Sequence, residues 1–75
     1  MKIYAEFTYK DGDEIIRRPV FFEEHEKWLA YAQFNKMVNH IIDNYELLKG
    51  SAPVIVNKEN EALLRERAEF FSLTV

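Results

Sequence analysis

The sequence predicts an α+β fold of two layers. A three-stranded antiparallel sheet, in order 2-1-3, carries two helices on one face, in the chain order β-β-α-β-α. Three features of the chain predict it. Residues 2–10 alternate apolar and polar with period two, the turn dipeptide Asp11-Gly12 follows, and residues 24–48 change to a helical period.

In the first strand Ile3, Ala5, Phe7 and Tyr9 share one face, and Lys2, Tyr4, Glu6 and Thr8 share the other. Asp11-Gly12 reads as the centre of a two-residue hairpin, with positive φ expected at both residues. Residues 14–22 return as the second strand. Folding on that turn pairs Phe7 with Ile16, Ala5 with Arg18 and Ile3 with Val20 inside. Outside, Glu6 meets Arg17 as an opposite-charge pair. Pro19 has no N–H to donate, which puts the second strand at the sheet edge.

Residues 24–48 read as one long helix whose stripe is Tyr31, Phe34, Met37, Val38, Ile41, Ile42, Tyr45 and Leu48. Glu23, Glu24 and Glu26 suit its positive end, Lys49 suits its negative end, and Gly50 is the expected stop. Ala52 to Val56 is a short buried-type strand entered by Pro53. Strands two and three then run parallel, joined by a right-handed crossover, with strand one between them. Asn57 is placed to cap a final helix with Glu59 and Glu61 in its first turn. Its stripe is Leu63, Leu64, Phe70 and Phe71, with Arg67 in the middle; residues 72–75 read as a tail or frayed end.

The 75 residues make one domain, 1–75, and 48% of them are hydrophobic, which supplies core material for a short chain. The absence of cysteine excludes disulfides, zinc–thiolate sites and thiol catalysis. No signal peptide is visible, and no apolar run approaches the roughly 20 residues that span a bilayer. The expectation is a soluble cytoplasmic protein with no membrane partner. Ten basic and thirteen acidic residues give a net charge of −3, mixed along the chain. Nucleic acid is a poor partner for that balance, and a protein partner or self-association fits it.

No catalytic, cofactor or metal constellation stands out, and the expectation is a non-enzyme. Ser51 sits beside the expected helix stop and Ser72 in the tail, and His40 belongs to the polar side of the helix. Glu23-Glu24-His25-Glu26 reads as a helix-start acid cluster, because consecutive helical residues do not face one another. Asp11-Gly12-Asp13-Glu14 is a hairpin and far too short for a calcium loop. Two glycines do not make a phosphate loop. Arg17-Arg18, on a strand, point to opposite faces.

Apolar residues outside the core pattern point to binding. Trp28, Leu29 and Leu47 fall outside the helix stripe, and tryptophan is enriched at binding hot spots. On the outer sheet face Tyr4, Ile15, Pro19 and Phe21 stay uncovered if both helices share the inner face; a final helix wrapped around the sheet would cover them. The candidate partner-binding residues are Trp28, Leu29, Glu24 and His25 at the helix start, with Tyr4, Phe21 and Ile15 on the sheet.

A β-hairpin, an acidic entry, Trp28 near the start of a long helix and a short strand after it resemble the Dmd-type antitoxins of T-even phages. Tyr31-Ala32-Gln33-Phe34-Asn35-Lys36 is similar to the corresponding helical stretch of that family. The likeness covers residues 2–57, and the final helix, 58–71, departs from the family pattern. The resemblance implies a small phage inhibitor that blocks a host toxin or defence protein, such as an endoribonuclease of the RNase LS type, by direct contact in the host cytoplasm. Trp28 matches the family's helix-start tryptophan. A homo-oligomeric structural or regulatory domain is the alternative, and a small RNA-binding module ranks behind it.

Overall fold

The computed structural model describes residues 1–73. Its elements are β1 (Lys2–Asp11), β2 (Glu14–Glu23), α1 (Lys27–Asn44), β3 (Glu46–Gly50), β4 (Val54–Ile55) and α2 (Glu61–Leu73). The class is α+β, and the sheet is antiparallel in order β2-β1-β3 as the sequence predicts. β4 adds a second, short segment on the β3 side of β1.

The hairpin turns one residue later than expected. Asp11 pairs with Glu14, so Gly12-Asp13 forms the turn centre, and Gly12 has φ +61. Among the described residues no non-glycine residue has positive φ. A turn with positive φ at its first central residue alone needs glycine there, and not the Asp-Gly order that requires two such residues. The register therefore moves by two. Phe7 faces Arg18, Ala5 faces Val20, Ile3 faces Phe22, and Glu6 faces Pro19 rather than Arg17. A shift of two leaves every side chain on its expected face, since faces repeat every second residue.

α1 is shorter than the 24–48 helix expected. Glu26 is its N-cap and Tyr45 its C-cap, with extended φ −141 and ψ 177. The Tyr45 N–H donates to the Ile41 carbonyl at 2.8 Å, meeting one of the free carbonyls of the last turn. Past it the period becomes two: Tyr45 and Leu47 are half-buried while Glu46 and Leu48 are exposed. That alternation is β3, which pairs with Phe7 to Lys10 of β1 through one bulge.

β3 and β4 form one interrupted strand along β1. At the break the Ser51 hydroxyl accepts from the Glu6 N–H at 2.8 Å, and the Ser51 N–H donates to the Glu6 carbonyl at 3.0 Å. A side-chain oxygen thus stands in for the ladder carbonyl beside Pro53. Pairing resumes at Val54 with Tyr4 and ends at Ile55 with Ile3, which cuts the expected 52–56 strand to two residues. Asn57 caps the turn at 58–60 that leads into α2, and because α2 begins at Glu61, Glu59 precedes the helix and is not in its first turn as expected. The Asn57 carboxamide oxygen accepts from the N–H groups of Glu59 and Asn60, and the Asn60 side chain accepts from the Asn57 N–H at 2.8 Å. α2 includes Ser72 and Leu73, where the sequence predicts a tail or frayed end; residues 74–75 of that stretch lie outside the described residues.

The two helices do not share a face. Ala5, Phe7 and Tyr9 pack with Ile41, Phe34, Met37 and Val38 of α1. From the other face of β1, Glu6 reaches Arg67 of α2. β1 is buried on both faces, from Ile3 through Phe7 and again at Tyr9. The outer sheet face expected to lie bare is therefore largely roofed by α2.

Candidate functional site

Covering by α2 removes Tyr4 from any accessible surface: it is 2% exposed. Its ring lies 4.9 Å from that of Phe21, and Phe21 and Pro19 are half-buried. Ile15, near the hairpin tip, stays exposed. These sheet residues do not form the single apolar surface expected of them.

Below α2 lies a polar centre that the strand pattern conceals. The Glu6 side chain is 11% exposed and accepts from Arg67 through both oxygens, Nη2 to Oε1 at 3.0 Å and Nε to Oε2. Two parallel bonds from a planar guanidinium make a strong, oriented pair. The Tyr4 hydroxyl donates to Oε2 at 2.8 Å. Glu6 thus ties the central strand to α2, and Lys2–Glu61 at 3.7 Å adds a second tie at the start of that helix. The Arg65 hydrogen bond and the Lys2 charge hold the Glu61 carboxyl below the usual carboxylate range. Thr8, Arg17, Lys49, Ser51 and Phe71 complete the lining of the cleft around this centre.

The Tyr4 phenol is pushed well above its ordinary pKa, first by burial and then by the hydrogen bond to Glu6 and its charge, with Arg67 opposing. In the unfolded chain the phenol ionises near pH 10. The neutral folded phenol therefore contributes stability that is complete below about pH 10 and drains away as pH rises toward the raised folded value. We expect a falling alkaline limb in unfolding free energy against pH, flattened by Tyr4→Phe. Chemical denaturation at a series of pH values reads it; an unchanged limb in the variant would place the titration elsewhere.

The helix start presents the other feature. Trp28 is 65% exposed, and its indole N–H donates to Glu26 Oε2 at 2.9 Å. Glu26 is the N-cap by position, but its side chain caps no backbone N–H; it holds the indole instead. Trp28 lines an open groove with Glu26, Lys27, Tyr31, Ala32 and Asn35. The Lys27 ammonium sits 6.0 Å from the Tyr31 ring centre. Leu29 is half-buried, so it does not accompany Trp28 on the surface, and Leu47 belongs to β3 and packs against the core. Glu24 and His25 precede α1 and line a separate small depression with Met1 and Glu23. Glu23 ends β2, and α1 has no acidic residue in its first turn, so of the acid cluster Glu26, the N-cap, is the member that stands at the helix end.

Among the described residues no three His, Asp or Glu side chains come together as metal ligands. No described helix is long and apolar enough to cross a membrane. The fold and sites define a small α+β domain with a helix on each face of its central strand, a pinned surface tryptophan and a buried carboxylate paired with a partly exposed arginine. No protein-family model, curated protein or solved structure matches the chain.

Proposed function

We propose that this chain is a non-enzymatic protein-binding domain that acts as an inhibitor, occluding the surface of one cytoplasmic partner through the outer face of α1. The observation that carries this reading is Trp28, exposed and already oriented by Glu26. A large ring held in place before contact loses little freedom on binding, and tryptophan is the residue type most often found at hot spots. Tyr31, Ala32 and Asn35 extend the footprint along the helix. Glu23, Glu24 and Glu26 at the helix entry give the surface a negative margin that steers a basic partner. The resemblance to the Dmd-type antitoxins supports the same reading, with a host toxin or defence protein as partner and the host cytoplasm as the place if the chain is phage-encoded.

The test is capture by the tagged chain from host lysate treated with nuclease, comparing wild type with Trp28→Ala/Ala32→Glu. Both positions are exposed, so the fold is expected to survive. Binding is expected to fall by at least about thirtyfold, or about 2 kcal/mol, as at a hot spot. Retained capture by the double variant would sink this assignment.

A second reading is self-association along the sheet edge. Leu48 on β3 and Val54 and Ile55 on β4 are exposed beside an outer edge that has no neighbouring strand among the described residues. Sedimentation equilibrium separates the two readings: a concentration-dependent dimer favours the edge, and a monomer throughout rejects it.

A further inference from the structure

We propose that the cleft between the sheet and α2 is a binding site for a phosphate group, either inorganic phosphate or a small phosphate monoester. The cleft has a volume of about 300 Å³, at the small end of ligand sites. It lies on the face of β1 away from α1, so the proposal is independent of the Trp28 surface.

The sheet register builds the site. Thr8 pairs with Arg17 of β2 on one side and with Lys49 of β3 on the other. Paired residues project from the same face, and adjacent strands stand roughly 4.8 Å apart. Two cations therefore flank one hydroxyl in a single row across three strands. Arg67 of α2 brings a third positive charge into the lining.

The lining holds one carboxylate, that of Glu6, and Arg67 and Tyr4 already occupy it. Among the described residues, neither Arg17 nor Lys49 has a carboxylate within ion-pair distance. Two positive charges are thus left unbalanced in a chain whose net charge is −3. Gathering like charges at a concave surface costs energy that a bound anion recovers.

The remaining hydrogen-bonding capacity is that of donors. Arg67 spends Nε and one Nη2 hydrogen on Glu6, which leaves the other N–H groups of its guanidinium fork. The Ser51 oxygen accepts from the Glu6 N–H, so its own hydrogen is available to a ligand, as is that of Thr8. A tetrahedral dianion offers several acceptor oxygens to such a set, where a carboxylate offers two and spans less of the row.

The test is an amide NMR titration of the full chain with inorganic phosphate, with glycerol 2-phosphate and, as controls, with sodium acetate and sodium chloride at matched ionic strength. Saturable shifts centred on Thr8, Lys49 and Ser51 are expected with phosphate and not with the controls. Tighter binding of glycerol 2-phosphate would identify a monoester as the ligand, and tighter binding of phosphate the free ion. Arg17→Gln/Lys49→Gln, at two exposed positions, is expected to weaken binding about tenfold or more, while Lys58→Gln outside the cleft leaves it unchanged. Equal responses to acetate and phosphate, no saturation below about 20 mM, or equal losses in the cleft and Lys58 variants would each overturn the proposal.

Discussion

Phe7→Ala is expected to cost a large share of the chain's folding stability, about 3–5 kcal/mol. Phe7 is 1% exposed at the middle of the central strand, and its ring stacks 5.8 Å from that of Phe34 on α1. It joins Ala5, Tyr9 and Ile41 in the core cluster. Removing a buried phenylalanine side chain costs about 3–5 kcal/mol, because lost burial and a residual cavity add together. A domain of this length holds roughly 4–11 kcal/mol in all. Urea unfolding followed by circular dichroism should show the midpoint collapse. A loss below about 1 kcal/mol would mean that the sheet–α1 layer is not the main core.

Glu6→Ala is expected to cost about 3 kcal/mol, more than any surface charge would. The carboxylate is buried where β1 faces α2, and it is the acceptor for both Tyr4 and Arg67. Its removal leaves the Tyr4 hydroxyl enclosed without this partner, and it detaches α2 from the central strand. Arg67 is 60% exposed and turns to water, so the enclosed phenol carries most of the penalty. The contrasting variant is Glu6→Leu/Tyr4→Phe, which removes acceptor and donor together and fills the space with carbon. It should recover most of the stability, since replacing both partners is far cheaper than stranding one. Equal destabilisation by the two variants would show that the ion pair to Arg67, and not the phenol, holds the layer.

The central strand, the hairpin, the strand order, the capping Asn57 and the off-stripe Trp28 were all legible in the residues, because each depends on local chemistry. The register was not. Asp11-Gly12 suits a turn with two positive φ values, but Gly12 alone takes one, and the pairing moved by two residues. The end of α1 was hidden because Tyr45 and Leu48 satisfy the helical period while Tyr45 and Leu47 satisfy the strand period. Sequence-local patterns also do not say which face of a sheet a helix covers. Glu6 in an alternating strand looks solvated, and α2 encloses it only after long-range packing. One signal was present: Arg67 in the middle of an apolar stripe, a charge placed where a buried counter-charge was needed. The row of Arg17, Thr8 and Lys49 needed the true register and had no signature in the sequence.

The most direct test of the Trp28 surface is site-specific photocrosslinking in cells. A benzophenone amino acid at position 32, within the groove, is compared with the same group at the exposed Lys58, away from α1. A single covalent adduct with another protein from position 32, absent from position 58 and lost with Trp28→Ala, is the expected result. Adducts of the chain with itself alone, or equal adducts from both positions, would contradict a partner seated on α1.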